Sequence, residues 1–225
     1  MGKAIEGVAL SRGHQIVAKI DAHPEDMKQL DQSSPDVAIE FTVPEIAAQN
    51  IKLCLDKNIP ILSGTTGWLN HKNEVDTYCA ALHGTFFHAS NYSLGVNLFL
   101  RLNEYLAKII SPYPQYNPSI EEIHHTKKKD APSGTAITLA EGMLKYLKQK
   151  QGWQPEDLDQ GKITIHSKRI DPYPGQHTVS YKSIMDDIEI RHTAHSREGF
   201  ALGAVLVAEW LPGKKGVLGM NDFLL

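Results

Sequence analysis

Residues 37–63, VAIEFTVPEIAAQNIKLCLDKNIPILS, contain two short apolar, β-branched runs on either side of an amphipathic stretch. The runs at 37–41 and 59–63 have the length and composition of buried parallel strands. Between them, residues 45–57 place apolar side chains mostly on one face, and Pro44 stands at the entry, where a helix accepts proline. The segment predicts a strand, a helix that lies against the sheet, and a second strand parallel to the first.

The same alternation continues on both sides of this segment. Further strands are expected at 15–20 and 86–90, so the first part of the chain should be an α/β unit with a parallel sheet. After Asn91 the pattern predicts a helix over 94–110, a strand over 119–125, a helix over 134–150, and strands at 162–170, 177–183 and 188–193. Because turns rather than helices join these last strands, they should form an antiparallel or mixed sheet. A second domain is therefore expected to begin near Asn91.

The composition excludes several classes of protein. The 225 residues are 41% hydrophobic and 22% charged, with a formal net charge of -3. This charge attracts neither nucleic acid nor an anionic membrane. No segment approaches the roughly 20 apolar residues that span a bilayer, and residues 1–6 do not resemble a signal peptide. Cys54 and Cys79 are expected to be reduced packing residues, which predicts a cytoplasmic location.

The first residues have the pattern of a glycine-rich turn that ends in a helix. Gly2 would be the last glycine of a phosphate-binding turn, and apolar residues at helical spacing follow it. On this hypothesis a first strand and the rest of the turn, about ten residues, would precede Met1. The alternative is an ordinary N-terminal helix. Asp21, directly after the expected strand at 15–20, could bind an adenosine ribose and would repel a ribose phosphate, which favours NAD(H).

The segment with the most chemical information is 121–135, EEIHHTKKKDAPSGT. Its potentially cationic side chains precede a Pro-Ser-Gly-Thr turn and are His124, His125, Lys127, Lys128 and Lys129. Ser133 and Thr135 can cap the helix that follows, while its first amides face outward and can bind an anion. Cations beside amide donors suit a carboxylate.

Reduction at such an anion site would need a proton donor. Hydride addition leaves electron density that a proton must neutralise, and Lys128 and His124 are the candidate donors. The alternative is that the lysines form a solvated loop and the two histidines cap a strand. The contiguous order of two histidines, a lysine and Asp-Ala-Pro-Ser-Gly-Thr favours the functional interpretation.

This order closely resembles the signature of the dihydrodipicolinate reductase family. Other segments resemble that family in the same order: FTVPE at 41–45, SGTTGW at 63–68, ASNYSLGVN at 89–97 and REGFALGA at 197–204. The resemblance extends from Met1 to the C-terminus. It implies an α/β fold: a Rossmann-like dinucleotide-binding domain, here lacking its first strand, and an α+β mixed-sheet domain for substrate binding and oligomerisation. The implied domains are 1–91 with 212–225, and 92–211.

The resemblance also implies roles for individual residues. His124 and Lys128 would be the catalytic proton-donor pair, with Lys128 the direct donor. A small dicarboxylate substrate would be bound by His125, Ser133, Gly134 and Thr135. NADH or NADPH would be bound by Gly2, Asp21, Phe41, Gly64, Thr65, Thr66, Ala89, Ser90, Asn91 and Tyr92. The implied activity is NAD(P)H-dependent reduction of 4-hydroxy-tetrahydrodipicolinate on the route to diaminopimelate and lysine, by a cytoplasmic homotetramer.

Parts of the sequence are compatible with three other interpretations. His192 and His195 have a spacing that a zinc site could use, but neither a cysteine nor a third ligand is nearby in the sequence, so no metal is expected. His177 is expected to be an exposed or hydrogen-bonded strand residue. A different dehydrogenase, acting on an amino-acid semialdehyde, would need a nucleophile or base that we do not find. If the nucleotide site were incomplete, the chain could instead be a cofactor-free oligomeric binding protein.

Overall fold

The structure is a computed structural model that describes residues 1–21, 34–156, 158–196 and 198–225. The chain forms two compact units. The first unit contains Met1–Leu94 and Glu198–Leu225, and the second contains Gly95–Arg197. Each unit has its own sheet and its own hydrophobic core. None of the described helices is long and apolar enough to cross a membrane.

In chain order the helices and strands are α1 Gly2–Ser11, β1 Ala38–Glu40, α2 Pro44–Asp56, β2 Ile61–Ser63, α3 Lys72–Ala81, β3 Thr85–His88, α4 Leu94–Ile110, β4 Asn117–His124, α5 Gly134–Leu144, β5 Trp153–Gln154, β6 Ile163–Arg169, β7 Gly175–Lys182, β8 Asp187–Ala194, α6 Glu198–Trp210, β9 Gly216–Leu218 and α7 Met220–Phe223. A short 3-10 turn, Leu69–His71, precedes α3.

The first unit is built on a parallel sheet in the order β1, β2, β3, β9. Alternate side chains of its strands face opposite layers of helices. Ile61 and Phe86 pack with residues of α2 and α3, whereas Leu62 and Phe87 pack with residues of α1 and α6. Since both faces are covered, the strands are apolar over nearly their whole length, as buried parallel strands are. The strand, helix and parallel strand predicted over 37–63 are confirmed, with Pro44 in the first turn of α2.

Helix α6 belongs to the first unit, which differs from the sequence prediction. The predicted boundary placed residues up to 211 in the second domain, but Glu198–Trp210 packs on α1 and on the first sheet. Small residues of α6, Ala201 and Ala204, are buried against Ile5 and Ala9 of α1. The sequence indicated that α6 could pack closely but contained no information about its partner.

The strand predicted at 15–20 is wrong, because residues 14–21 form neither helix nor strand. A strand needs a neighbour to satisfy its backbone donors and acceptors. Among the described strands, β1 at the edge of the first sheet pairs with β2 alone. Side chains hold this segment instead: His14 contacts Glu209 of α6, and Lys19 contacts Glu6 of α1.

The second unit contains a mixed sheet in the order β5, β6, β4, β7, β8. Strand β4 is central, parallel to β6 and antiparallel to β7, and β7 pairs antiparallel with β8. Helices α4 and α5 share one hydrophobic core with Ile120, Val179 and Tyr181 of the sheet. The predicted mixed sheet is confirmed, although α5 ends at Leu144 rather than at residue 150.

Helix α6 approaches the backbone after β3 so closely that only glycine fits at position 203. A Cβ on Gly203 would lie 1.7 Å from the carbonyl oxygen of Tyr92. The Tyr92 side chain is itself buried, and its hydroxyl donates to the carbonyl of Ser63 at 2.8 Å. The close approach of α6 therefore fixes the segment that follows β3.

Gly203→Ala is expected to destabilise the protein strongly, because the added methyl group would overlap a backbone oxygen. We expect the free energy of unfolding to fall by about 3 kcal/mol, the upper end of the usual range for overpacking. Gly199→Ala is a matched control in the same helix, since the nearest atom to its Cβ would be Ser93 Oγ at 3.8 Å. Urea unfolding of both variants measures the difference, and equal stabilities would contradict the close contact.

Candidate active site

The candidate site is built at the carboxyl end of β4, the central strand of the second sheet. Ile120, Glu122 and His124 alternate along β4 and share one face of it. Ile120 belongs to the hydrophobic core, whereas Glu122 and His124 lie further along, near the start of α5. The same alternation that packs the core therefore places two polar side chains at its edge.

Glu122 is fully buried and binds donors from two other parts of the chain. Its Oε1 accepts hydrogen bonds from the Ser133 amide at 3.1 Å, the Ser167 hydroxyl at 2.7 Å and the Arg169 guanidinium at 3.1 Å. Burial alone raises the pKa of this carboxyl, but the neighbouring His124 and the hydrogen bonds from Ser133, Ser167 and Arg169 outweigh it and hold the pKa far below its ordinary value. Glu122 is therefore a buried carboxylate that stays ionised.

Two histidine rings face the other oxygen of Glu122. Oε2 lies 3.2 Å from His124 Nδ1 and 3.7 Å from His177 Nε2, and the two rings are 5.1 Å apart in an edge-to-face arrangement. Within the part of the chain that the structure describes, neither Glu122 Oε2 nor His124 Nδ1 has a partner with hydrogen-bond geometry. The two atoms are close enough for a bond but are not aligned for one.

His177 is held neutral by its surroundings. Burial, and the adjacent His124, lower the pKa of His177 to about 4. The Ser133 hydroxyl lies 3.1 Å from His177 Nε2 and also accepts a hydrogen bond from the Ala136 amide, so its own proton is available to the imidazole nitrogen. Ser133 thus caps α5 while donating to a neutral histidine.

Helix α5 begins at the turn that the sequence predicts as an anion-binding site. Ser133 is the N-cap residue, and Gly134 and Thr135 are the first residues of the helix. The first amides of a helix have no acceptor within it, and they carry the positive end of the helix dipole. Gly134 is exposed, and a Cβ placed on it would meet nothing within 4 Å. An anion can therefore approach these amides directly.

The loop between β4 and α5 carries the predicted cations. Lys128 Nζ lies 2.8 Å from Asp130 Oδ2, and this hydrogen bond lowers the pKa of Asp130. Asp171 binds both the amide and the hydroxyl of Thr126, and Arg169 donates to the Asp130 carbonyl at 2.5 Å. The loop is therefore anchored at both ends, and the carboxylate that is paired with Lys128 is exposed.

The structure places His124 and Ser133 beside Glu122, and Gly134 and Thr135 follow Ser133 at the start of α5. His125 and Lys128 lie on the loop between β4 and α5. The sequence did not predict a role for Glu122 or Arg169, nor the contact of His177 with the Ser133 hydroxyl. The available signal was a glutamate on the apolar side of a buried strand, between Ile120 and His124.

Side chains of Glu122, His124 and His177 could by geometry hold a metal ion, since their ligand atoms lie within 4.8 Å of one another. The Glu122 carboxylate is already paired with the Arg169 guanidinium. That fixed positive charge opposes a second cation beside the same carboxylate.

In the first unit, a second buried carboxylate organises the loops at the carboxyl edge of the parallel sheet. Glu40, the last residue of β1, accepts hydrogen bonds from the Thr42 amide at 3.0 Å and from the Thr65 hydroxyl at 2.9 Å through Oε1. The Ser63 hydroxyl donates to Oε2 at 2.5 Å. Glu40 thus connects the loop after β1 with the loop after β2.

The same loops form a close cradle around Gly64. A Cβ on Gly64 would lie 2.2 Å from the ring of Phe41, whose centroid is 5.5 Å from that of Tyr92. Ligands of open parallel sheets bind at this carboxyl edge, where glycine permits close approach to the backbone. The predicted cofactor residues 64–66 and 89–92 are at this edge, following β2 and β3. These residues therefore lie at the edge where the nucleotides of such sheets bind.

Gly2 and Asp21 are less closely connected to these loops. Gly2 begins α1, Met1 provides no side-chain cap, and a Cβ on Gly2 would meet nothing within 4 Å. Asp21 is exposed and lies at the end of the first described stretch, outside any strand. Its contact with a ribose stays a prediction.

Fold and site together define a two-domain α/β protein with a Rossmann-like nucleotide-binding domain and a mixed-sheet domain that carries an anion-binding turn. The family model described as dihydrodipicolinate reductase, N-terminus, matches residues 1–92. The model described as dihydrodipicolinate reductase, C-terminus, matches residues 95–224. The chain belongs to the dihydrodipicolinate reductase family.

Curated relatives and solved structures agree with this assignment. A 4-hydroxy-tetrahydrodipicolinate reductase of Christiangramia forsetii is 47% identical over 224 residues, covering 100% of this chain and 93% of the relative. One of Methanoregula boonei is 36% identical over 225 residues, covering 97% of this chain and 86% of the relative.

Two solved structures share the fold. The dipicolinate-bound dihydrodipicolinate reductase from Paenisporosarcina sp. TG-14 has a TM-score of 0.79 at 21% identity, covering 100% of this chain and 95% of that chain. An amine dehydrogenase from Mycobacterium smegmatis has a TM-score of 0.61 at 10% identity, and the match covers 97% of this chain and 91% of that chain. Both confirm the predicted fold class.

The neutral state of buried His177 predicts a loss of stability in acid. An unfolded histidine has a pKa of about 6.5, and the folded value is about 4. The unfolded chain therefore binds this proton more tightly, and stability falls as the pH drops from about 6.5 toward 4. Between pH 7 and pH 4.5, protonation of His177 should lower the free energy of unfolding by a value on the order of 2 kcal/mol.

His177→Gln should reduce this acid loss, because glutamine can accept the Ser133 proton and cannot itself become charged. Urea unfolding at pH 7 and pH 4.5 measures the change. His166→Gln, an exposed histidine of β6, is the control and should behave as the parent protein. An unchanged acid loss in His177→Gln would show that His177 does not titrate as described.

Proposed function

We propose that this chain is an NAD(P)H-dependent 4-hydroxy-tetrahydrodipicolinate reductase that forms tetrahydrodipicolinate in diaminopimelate and lysine biosynthesis. The observation that carries the proposal is the turn at Ser133, which begins α5 beside buried Glu122 and His124 and follows the loop that carries Lys128. It is supported by family membership along both units and by curated relatives with this activity in their names.

The substrate is a small dicarboxylate, and the start of α5 suits one of its carboxylates. The amides of Gly134 and Thr135 would donate to it, and the Thr135 hydroxyl would add a third donor. His125 and Lys128 would add positive charge from the preceding loop. On binding, the substrate carboxylate replaces Asp130 as the partner of Lys128, so the lysine exchanges one ion pair for another.

NADH or NADPH would be held by the loops of the first unit and would supply the hydride when bound. The proposed contacts are Gly2, Asp21, Phe41, Gly64, Thr65, Thr66, Ala89, Ser90, Asn91 and Tyr92. The cradle at Gly64 supports this assignment, since a larger residue would displace the Phe41 ring. Asp21 would favour NADH, because a carboxylate repels the additional phosphate of NADPH.

His124 and Lys128 would supply the proton that accompanies the hydride. A general acid must lie within hydrogen-bond reach of the atom that it protonates. Lys128 is the direct donor in this proposal, because its ammonium is partly exposed on a flexible side chain and can follow the substrate. His124 is buried and held in one position. It would orient the reacting group and take part with Lys128 in the proton transfer.

We also propose a homotetramer in the cytoplasm. Support for assembly comes from an apolar stripe on α4, where side chains at helical spacing are exposed: Leu98, Leu102, Tyr105 and Ile109. Support for a reducing compartment comes from Cys54 and Cys79, which are buried free thiols. Burial raises the pKa of Cys54 to about 11, which keeps this thiol unreactive.

Steady-state reduction of freshly prepared substrate by NADH and by NADPH tests the proposal. Lys128→Ala and His124→Ala should each lower kcat by about 10²-fold or more, the effect of removing an acid–base group. Lys127→Ala, an exposed neighbour on the same loop, is the control and should retain the parent kcat. Parent turnover in both site variants would refute the assigned roles.

Titration with NADH, followed by its fluorescence, distinguishes a reductase from a cofactor-free binding protein. We expect saturable binding by the parent protein and weaker binding by Gly64→Ala, because the methyl group would displace Phe41 from the cofactor edge. Absence of NADH binding by the parent protein would favour the cofactor-free alternative.

A further inference from the structure

Glu122 makes contacts that the proposed proton transfer alone does not require. The carboxylate has no exposed surface, so it touches neither substrate nor solvent. Its donors come from the turn that begins α5 and from strand β6, through Ser133, Ser167 and Arg169. Since Glu122 belongs to β4, it connects three segments that meet at the anion-binding turn.

One of these contacts sets which amides an anion can use. Glu122 occupies the amide of Ser133, and the Ser133 hydroxyl occupies that of Ala136. The two amides between them, those of Gly134 and Thr135, are then the donors at the helix end. The carboxylate therefore limits the site to two adjacent donors with a fixed direction.

Arg169 prevents the buried charge from repelling the anion. Its guanidinium lies 3.1 Å from Glu122 Oε1 and also donates to the Asp130 carbonyl. The pair is neutral as a whole, so the charge at the turn is still set by the helix end and by the loop cations. The same arginine holds the loop that carries Lys128.

The second oxygen of Glu122 acts on His124. Nδ1 lies 3.2 Å from Oε2 without hydrogen-bond alignment, a condition that is common in ligand-free catalytic sites and that improves when substrate binds. The opposite nitrogen, Nε2, adjoins Gly175, where a Cβ would lie 3.2 Å away. Glycine thus leaves space beside Nε2, while Nδ1 faces the carboxylate.

His177 does not compete for this role. Its Nε2 is the atom nearest to Glu122, at 3.7 Å, but that nitrogen lies 3.1 Å from the Ser133 hydroxyl, whose proton it can accept. A nitrogen that accepts this proton has none to give to the carboxylate. His124 is therefore the ring that can donate to Oε2.

We propose that Glu122 is a positioning residue, which holds His124 with its Nδ1 protonated and Nε2 toward the substrate, and which fixes the Ser133 turn for the substrate carboxylate. This inference rests on the proposed reductase function. It assigns to one buried side chain both the orientation of the proton-donor histidine and the direction of the anion-binding amides.

Glu122→Gln tests the proposal with almost no change of shape. The amide oxygen can still accept from Ser133 and Ser167, but the amide NH₂ then faces His124 Nδ1 and requires that nitrogen to be an acceptor. We expect kcat to fall about 10-fold to 100-fold, less than for loss of the acid itself. The KM for the substrate should change less than 3-fold, because the Ser133 contact is kept.

Glu121→Gln is the matched control on the same strand. Glu121 points to the opposite face and pairs with Lys168 at 2.6 Å. Its variant should retain the parent kcat and KM. A purely structural role of Glu122 would lower thermal stability and the folded fraction while leaving kcat per folded molecule unchanged, and that result would overturn the proposal.

Nitrogen-15 NMR of histidine-labelled protein gives a second measurement that does not depend on turnover. His124→Asn identifies the His124 signals. With pyridine-2,6-dicarboxylate bound, the parent protein should show a protonated Nδ1, and Glu122→Gln should show an unprotonated one. An unprotonated Nδ1 in the parent overturns the proposal even if Glu122→Gln fails to fold.

The two measurements also separate this inference from the proposed function. If the parent protein does not reduce the substrate, the proposed function fails, and the NMR result still decides whether Glu122 orients His124. If the parent is active and Glu122→Gln has the parent kcat, only the positioning role fails.

Discussion

The ionised carboxylate of Glu122, buried at the end of β4, is the constraint on which the second unit's site depends. A charge in this position is stable only because Ser133, Ser167 and Arg169 donate to it. Removing any one donor would leave a buried charge incompletely satisfied. The start of α5 and the end of β6 are therefore held in one arrangement before any ligand arrives, which is the condition for efficient electrostatic catalysis.

The first unit uses the same device at its own sheet edge. Glu40 ends β1 and binds donors at Thr42, Ser63 and Thr65, so that the loops after two adjacent strands are fixed to each other. In each unit a carboxylate at the carboxyl end of a strand satisfies loop donors that would otherwise vary in position. The proposed ligand contacts of both units lie on loops, and buried acids on rigid strands fix the position of those loops.

The sequence predicts the parts of this protein that follow from local pattern. The strand, helix and strand over 37–63, the mixed second sheet and the segment 121–135 all have signals in contiguous residues. The strand at 15–20 was wrong because apolar alternation does not supply a neighbouring strand. The partner of α6 and the residues that surround Glu122 could not be predicted, since Arg169 and His177 reach the site from β6 and β7 only once the sheet has formed.

A crystal structure with bound pyridine-2,6-dicarboxylate tests the central claim most directly. We predict one carboxylate within hydrogen-bond distance of the Gly134 and Thr135 amides, with Glu122 Oε2 aligned on His124 Nδ1. A dicarboxylate bound away from this turn, or a His124 ring whose Nδ1 is directed away from Glu122, would contradict the account.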